Sequence, residues 1–332
     1  EIGRRHNPGS PFMNGPIVGK DVFVPLDTLI GGVANAGKGW RMLMECLAVG
    51  RGISLPSMAT ASGEMSYRLV GAYSSIRRQF KLPVGKFEGV QEVSAVIASN
   101  AYMLEAFRHL VTCGLGEGGT PSVMTAMAKY YATEAMRESV NHAMDIVGGR
   151  AIQQGPRNFL AFSYQAIPVG ITVEGAKLLS RTLMIFGQGA MRCHPYLYQE
   201  LQCLQREDAA AIEDFDKLLM GHLGYTLNNA ASLLLQKLSF GALSKAPSNS
   251  CNFTRPYYKK VHMLSSAFAL TADVTLGLLA GDLKRKEMLS GRLADVHSQL
   301  FIATSILKYY QSRPHDAEEQ QLAAMAVTTA LF

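Results

Sequence analysis

The sequence is poor in charged residues and lacks the patterns that mark several classes of protein. Charged residues make up 17% of the 332 positions and hydrophobic residues 48%, which is typical of a globular chain and excludes extended disorder. The formal net charge is +6, yet no basic block with interleaved aromatic residues occurs, so nucleic acid is not expected as a partner. The positive excess is a weak indication of an anionic small molecule.

The five cysteines follow no spacing that would indicate a shared function. Neither a CxxC pair nor a Cys/His ligand pattern occurs, so we expect reduced thiols in a cytoplasmic protein and no metal site. Cys193-His194 has no triad or ligand context and is interpreted as a packing pair. No signal peptide is visible, and the opening GRRHNPGSP is typical of the interior of a longer protein, so we expect the chain to be a fragment.

One apolar segment, Val261–Gly281, has about the length of a membrane span. It contains His262, Asp273 and several Ser and Thr residues, and an ionised aspartate is costly inside lipid. The segment therefore predicts a bundle helix buried in the protein.

Apolar residues recur at helical spacing over most of the chain, after a Gly- and Pro-rich start with one β-type run at Asp21–Pro25. Pro56 is expected to begin or bend the first helix, Thr120-Pro121 to cap the third, and Gly148-Gly149 to end it. A fourth helix is expected from about Thr172–Glu174 towards Gly187. Four long helices with short breaks predict an antiparallel four-helix bundle. The stripes are Met58, Met65, Leu69, Ala72, Ile76 and Phe80; Val93, Ile97, Ala101, Leu104, Phe107 and Val111; and Ala128, Ala132, Met136, Val140, Ala143 and Val147.

The tail from about His194 is predicted to be helical as well. Its clearest stripe keeps a spacing of four and three over three heptads, which fits either a coiled-coil seam or a bundle core, and the bundle core is commoner for so short a run. The stripe is Leu289, Leu293, Val296, Leu300, Ala303, Leu307 and Tyr310.

Three motifs allow a functional and a structural interpretation. Gly114–Gly119 fits G-x-G-x-x-G, but a helix precedes it instead of a strand, so we interpret it as a loop between helices. The cluster Arg77–Lys81 suits an anion, although a solvated helix end is the commoner case. Glu174 suits the first turn of a helix, and periodicity alone favours this capping role over a catalytic one. The residues by themselves predict an α-helical bundle and no reaction.

Six stretches follow one another within residues 15–190: Asp21–Pro25 with Leu29–Gly31 and Gly37–Gly39; Arg51; Tyr73–Phe80; Ala126–Tyr130; Asp145–Gly149; and Val173–Ala176. In this order and at about the right spacing, they resemble the acyl-CoA dehydrogenase family. The tail resembles the extra helical region of the long bacterial fatty-acyl-CoA dehydrogenases of β-oxidation. The sequence departs from the family pattern at four positions. Asp145 replaces the usual Gln before the Gly pair, and Glu88 lies where a FAD-contacting Gln is common. Ala176 replaces the Thr that follows "EG", and Lys81 replaces the Gly that follows Phe80.

The resemblance implies an all-α fold, a four-helix-bundle C-terminal domain with a small β remnant at the N-terminus and a helical C-terminal extension. The implied division is 1–34 for the end of the β-domain, 35–192 for the helical bundle and 193–332 for the extension. The family's N-terminal helical domain and most of its β-domain, which supply much of the flavin and acyl pocket, would lie outside this sequence.

The resemblance also implies FAD-dependent conversion of fatty acyl-CoA to trans-2-enoyl-CoA, the first step of β-oxidation. Glu174 matches the catalytic base, and Arg51 and Gly175 match the substrate side of the site. Arg77 and Phe80 match positions that meet the FAD of a neighbouring subunit, and Gly148 and Gly149 match the loop near its adenine end.

The implied partners are a fatty acyl-CoA substrate, an electron transfer flavoprotein or similar acceptor, and further copies of the chain in a homo-oligomer. A cytoplasmic location is expected, with peripheral association with the inner membrane left open. Two alternatives stay open: an acyl-CoA oxidase, and a non-catalytic helical module for oligomerisation or membrane-surface docking.

Overall fold

The computed structural model describes residues 3, 15–119, 121–314 and 316–332, and most of them are helical, which confirms the all-α prediction. The opening GRRHNPGSP, apart from Gly3, and the predicted cap Thr120 lie outside the described residues. The α-helices are α1 (Gly39–Ile76), α2 (Glu88–Gly116), α3 (Ser122–Val147), α4 (Leu160–Thr172), α5 (Lys177–Leu179), α6 (Gly189–Cys193), α7 (Leu197–Cys203), α8 (Ala209–Leu238), α9 (Thr254–Leu279), α10 (Glu287–Gln311) and α11 (Ala317–Leu331). A hairpin of β1 (Arg78–Gln79) and β2 (Leu82–Pro83) joins α1 to α2.

The helical stripes of α2 and α3 form the core of the bundle. All six predicted positions of α3 are buried, and α3 ends at Val147, where Gly148 takes a positive φ of 66°. In α2, Ile97, Leu104, Phe107 and Val111 are buried. The sequence predicted this part because apolar side chains cover one helix face and glycine accepts the left-handed conformation that ends the helix.

The stripe predicted for α1 was partly wrong. Ile76 and Phe80 are largely exposed, because α1 ends at Ile76 and Phe80 lies in the hairpin turn. The buried face of α1 instead contains the small residues Ala59, Ser62 and Ser66, and the Ser66 hydroxyl donates to the carbonyl of Ser62 at 2.8 Å. Serine satisfies its own hydroxyl within the helix, so it can pack in a core without showing an apolar pattern.

Two prolines lie inside helices. Pro56 does not begin α1, which runs through it, so a bend is the predicted role that stays open for it. Pro168 lies within α4, where we expected a turn. The next helix begins at Lys177 and not at Thr172–Glu174, and from Ser180 to Gly187 it continues with wider π-helical turns. The break before Lys177 positions the candidate site.

The β remnant and the extension complete the chain. The run Asp21–Pro25 forms no strand within the described residues, and short 3₁₀ turns follow at Leu26–Thr28 and Val33–Asn35. In the extension, α10 packs on α2, α9 and α11. Leu293, Leu300, Ala303, Leu307 and Tyr310 of α10 are buried, so its stripe belongs to a bundle core. Val296 of the same stripe is 47% exposed.

The helix expected to be buried, α9, is buried on one face only. By length and composition alone, Thr254–Lys284 could cross a membrane, with a mean hydropathy of 1.6, and 11% of its apolar window is buried. The inner face contains Tyr258 and Ala272, whereas Val274 and Leu278 are exposed. The helix packs against α8 and α10, as a bundle helix does.

Candidate active site

The four-residue turn Val173–Ala176 between α4 and α5 carries Glu174. The last hydrogen bond of α4 runs from the Val173 N–H to the Val169 carbonyl at 3.0 Å, after which Glu174 takes φ 55° and Gly175 takes φ 108°. A positive φ is uncommon for a glutamate and costs free energy, so surrounding contacts must hold the turn. Because the cap position of α5 is Ala176, the predicted capping role of Glu174 is wrong.

Lys129 of α3 stabilises this turn through hydrogen bonds to two backbone carbonyls. Its ammonium group donates to the carbonyls of Ile171 at 2.5 Å and of Gly175 at 2.6 Å, and the Ser180 hydroxyl donates to the same Gly175 carbonyl at 3.1 Å. The side chain is 1% exposed. Burial first, and then the charge of Arg51, lower the pKa of Lys129 to about 8. No sequence pattern indicated this role, because the two free carbonyls exist only where the helix breaks.

Arg51 of α1 is the second buried cation beside Glu174. Its guanidinium donates to the carbonyls of Glu174 and Ser122, each at 3.4 Å, and to the Thr125 hydroxyl at 3.5 Å. Burial lowers the pKa of Arg51, and the charge of Glu174 opposes this shift. A guanidinium stays protonated in proteins, so a fixed positive charge lies next to the Glu174 turn.

Several polar atoms of this site have no partner among the described residues. They are the buried Glu174 Oε2, the buried Arg51 Nε and the backbone N–H of Glu174. Buried polar atoms without partners are rare in proteins and indicate a missing ligand, a water or a catalytic role. We refer to Arg51, Lys129 and Glu174 as the Glu174 cluster.

Gly175 is required by the space beside the cluster. A Cβ atom there would lie 3.0 Å from Ser180 Oγ, 3.4 Å from Met184 Sδ and 3.7 Å from Arg51 Nη1, and φ 108° would strain any other residue. The structure therefore brings Arg51, Glu174 and Gly175 together, as the sequence predicted, while their roles stay predictions.

The four residues expected near FAD lie at another end of the bundle. Arg77 directly follows α1, and Phe80 is 88% exposed at φ 48° in the hairpin turn. Lys81 shares this turn at φ 68°, a conformation that the family's glycine would adopt more readily. The Tyr73 hydroxyl donates to the Val147 carbonyl at 3.2 Å, which ties this end of α1 to the Gly148-Gly149 loop.

This end is remote from the Glu174 cluster. Arg51 and Arg77 are separated by about 38 Å along α1, at 1.5 Å per helical residue. Gly148 and Gly149 are exposed, and a Cβ atom at either would meet no atom within 4 Å. Within the described residues, the Arg77 guanidinium has no ion-pair partner. Both segments are thus accessible to a group from outside this chain.

A second buried cluster was not predicted from the sequence. His194 Nε2 lies 2.8 Å from Asp273 Oδ1, His222 Nδ1 lies 2.9 Å from Glu200 Oε1, and the Thr226 hydroxyl donates to Asp273 Oδ2 at 2.7 Å. His194 directly follows α6, and Glu200, His222 and Asp273 lie on α7, α8 and α9. Because His194 and Asp273 are 79 residues apart, no sequence spacing could reveal the cluster. We refer to His194, Glu200, His222 and Asp273 as the His194 cluster.

By residue type, the His194 cluster could hold a metal ion, because ligand atoms of His194, His222 and Asp273 lie within 4.8 Å of one another. The hydrogen bonds favour a different use. His194 Nδ1 accepts from the N–H groups of Tyr196 at 3.3 Å and Leu197 at 3.1 Å, so the ring proton is on Nε2 and is donated to Asp273. A metal would have to displace that proton. The structure thus gives His194 hydrogen-bond partners that the sequence did not show, while its structural role, as interpreted from the sequence, stays a prediction.

Comparison with known proteins gives two family matches. Residues 37–184 match the model "Acyl-CoA dehydrogenase, C-terminal domain", and residues 191–332 match "Acyl-CoA dehydrogenase, C-terminal, bacterial type". These ranges cover nearly all of the chain after the Gly- and Pro-rich start.

Individual relatives match over shorter lengths. Protein HemX of Proteus mirabilis is 60% identical over 73 residues, which are 22% of this chain and 43% of that protein. The short-chain specific acyl-CoA dehydrogenase of Megasphaera elsdenii is 32% identical over 136 residues, 40% of this chain and 34% of that protein. Among solved structures, an acyl-CoA dehydrogenase complexed with FAD from Bacillus anthracis has the same fold, with a TM-score of 0.66 at 16% identity over 89% of this chain and 48% of that one. The chain matches less than half the length of each of these proteins.

Proposed function

The chain belongs to the acyl-CoA dehydrogenase family and represents its C-terminal half, and from this premise we propose that it supplies the catalytic base of a FAD-dependent fatty acyl-CoA dehydrogenase. The reaction would be the α,β-dehydrogenation of a fatty acyl-CoA to the trans-2-enoyl-CoA, the first step of fatty acid β-oxidation. The observation that carries the proposal is the Glu174 turn. It presents a carboxylate oxygen and a backbone N–H that both have no partner in the part of the chain that the structure describes, between two buried cations.

The residues of the Glu174 cluster have separable tasks in this reaction. Glu174 would take the α-proton of the thioester, which is too weak an acid to lose its proton to a carboxylate in water. The free Glu174 N–H would donate to the thioester oxygen as negative charge develops there. Lys129 and Arg51 hold the carbonyls on either side of that N–H, so they fix its direction. The chemistry that FAD supplies when bound is acceptance of the β-hydrogen as hydride.

Arg77, Phe80, Gly148 and Gly149 fit a flavin cofactor that belongs to another subunit. They are exposed at one end of the bundle, and the guanidinium offers the planar donors that suit a pyrophosphate. A cofactor that served both these residues and Glu174 of the same chain would have to span most of α1. A homo-oligomer in which each chain completes its neighbour's site accounts for both positions.

An acyl-CoA oxidase would use the same base and flavin but would pass its electrons to oxygen. Oxygen consumption without an added acceptor separates it from a dehydrogenase that uses an electron transfer flavoprotein or a similar acceptor. A non-catalytic helical module would show no flavin absorbance. A cytoplasmic location remains part of the proposal.

The test is Glu174→Gln in the enzyme completed by the N-terminal half. Glutamine keeps the shape but cannot accept the proton, so turnover with palmitoyl-CoA should fall by orders of magnitude while flavin content stays near normal. Glu64→Gln, an exposed carboxylate paired with Arg68 at 3.6 Å, is the matched control and should keep full activity. If Glu174→Gln retained most of its activity, Glu174 would not be the base.

A further inference from the structure

The positive charge of the chain is concentrated in one segment of the extension. Residues 217–272 contain no aspartate or glutamate, and their six cations equal the net charge of +6 of the whole chain. The remainder of the sequence is therefore balanced, with as many acidic as basic residues. The cations are Lys217, Lys237, Lys245, Arg255, Lys259 and Lys260.

The same segment exposes a row of large apolar side chains. Five residues of α8 lie at intervals of three, four and seven, which places them on one helix face about 27 Å long. All five are more than half exposed. They are Met220, Leu223, Leu227, Leu234 and Leu238, and we refer to them as the α8 face.

A loop at the end of the α8 face extends this apolar surface. Phe240 is 99% exposed at φ 51°, and Leu243 is also exposed. The loop is held firmly from the other side. The buried Gln236 accepts from the Ser244 hydroxyl at 3.1 Å, and Lys259 donates to the Ala242 carbonyl at 3.2 Å. The loop therefore has a fixed shape that directs Phe240 outward. Exposing an apolar ring to water is unfavourable, and no packing among the described residues compensates for it.

We propose that the α8 face and the Phe240 loop dock on a bilayer surface rich in anionic phospholipid. Apolar side chains on one face of a helix enter the boundary between headgroups and acyl chains, while lysines remain at the headgroups. Lys237 and Lys245 flank Phe240 in the sequence and are exposed, as this arrangement requires. Acidic residues of α8 occur only at its start, where Glu213 pairs with Lys217 at 2.7 Å, and the charges around the Phe240 loop are all positive. A protein partner is less well matched there, because polar rims of protein interfaces carry charges of both signs. The inference does not depend on Glu174 or on FAD.

The first test is co-sedimentation with vesicles of phosphatidylcholine, alone or mixed with phosphatidylglycerol. The chain should bind the mixed vesicles and not the neutral ones. Lys237→Gln with Lys245→Gln should weaken binding about thirtyfold, at about fivefold for each basic residue near an anionic surface. Phe240→Ser should weaken it about tenfold or more, through lost apolar burial. The matched controls Lys20→Gln with Lys86→Gln, and Ile76→Ser, change exposed residues outside the segment and should bind as the unaltered chain does.

A fluorescence test reports on insertion directly. The chain has one tryptophan, so Phe240→Trp in a Trp40→Phe background gives a single probe, and its emission should shift to the blue only with anionic vesicles. Glu174→Gln should bind vesicles normally, so loss of activity and loss of docking are distinguishable.

Three results would overturn the proposal. One is equal binding to neutral and anionic vesicles, or binding to neither. Another is a Phe240→Ser variant whose oligomeric state changes while its vesicle binding does not, since the surface would then join copies of the chain. The third is vesicle binding by the 332-residue chain that disappears when the N-terminal half is added, since that half would then cover the α8 face.

Discussion

The Glu174 cluster and the His194 cluster are both buried groups of charged side chains, and they differ in how their polar atoms are satisfied. In the His194 cluster, both carboxylates accept hydrogen bonds, and both nitrogens of His194 are used. In the Glu174 cluster, a carboxylate oxygen and a guanidinium nitrogen are buried without a partner among the described residues. The two clusters lie on opposite sides of the junction between the two family matches.

This difference separates a structural network from a candidate active site better than residue type does. Histidine and aspartate are commoner catalytic residues than a buried Arg–Lys–Glu group, so residue type alone would favour the His194 cluster as the active site. A satisfied network stabilises one arrangement and leaves nothing for a ligand to contact. Unsatisfied buried atoms cost free energy until a ligand contacts them, so they indicate where one binds.

The largest predicted effect on stability is that of Asp273→Ala. The change leaves His194 Nε2 without its acceptor and removes one of the two acceptors of the Thr226 hydroxyl, which keeps the His222 carbonyl at 3.1 Å. The free energy of unfolding should therefore fall by about 3–5 kcal/mol. Urea unfolding followed by circular dichroism measures it. Asp282→Ala, which breaks an exposed pair with Arg285, is the control and should cost less than about 0.5 kcal/mol.

The same measurement can reverse the interpretation of the His194 cluster. Activity per folded molecule should be unchanged in Asp273→Ala, because the network is structural. A small loss of stability, together with a zinc-dependent rise in the unfolding midpoint that only the unaltered chain shows, would instead make the cluster a metal site.

Lys129 gives the Glu174 cluster a pH dependence of stability. Its pKa is about 8 in the folded chain, against 10.5 for an ordinary lysine. Between these values the unfolded chain binds a proton that the folded chain does not, so this residue makes the free energy of unfolding rise with pH, by at most about 3 kcal/mol. Lys129→Met should lack that rise. Unfolding curves taken from pH 7.5 to 10.5 compare the two proteins, and a constant difference between them would contradict the assigned pKa shift.

The sequence predicted those features that depend on neighbours along the chain. The buried stripe of α3 and its end at Gly148 follow from apolar spacing and from the freedom of glycine. The resemblance also placed Arg51 beside Glu174 correctly, although they are 123 residues apart. The buried role of Lys129 could not be predicted, because it depends on two carbonyls freed by a helix break after Pro168. The His194 cluster joins residues up to 79 positions apart, and hydrogen bonds at that range leave no periodic pattern.

The smallest predicted effect concerns Arg77. Among the described residues its guanidinium has no ion-pair partner, but this is weaker evidence for a ligand than an unpaired buried atom, because leaving an exposed cation unpaired costs little free energy. Arg77→Ala should lower flavin retention of the completed enzyme about tenfold or more, since a charge-assisted hydrogen bond to phosphate is lost. Arg78→Ala should do less, although Arg78 donates to the Lys81 carbonyl at 2.8 Å and steadies the hairpin. Arg68→Ala, an exposed arginine on α1, is the neutral control.

The geometry requires two readouts to change together in Arg77→Ala. Flavin absorbance should fall, and analytical ultracentrifugation should show a weaker oligomer. Arg77 lies about 38 Å along α1 from the Glu174 of its own chain, so the flavin that it contacts would belong to the site of a neighbouring subunit. Loss of flavin from an intact oligomer would contradict a shared site between subunits. Equal, negligible effects at Arg77 and Arg68 would show that Arg77 is only a solvated residue at a helix end. The evidence for a bound ligand would then come from the Glu174 cluster alone.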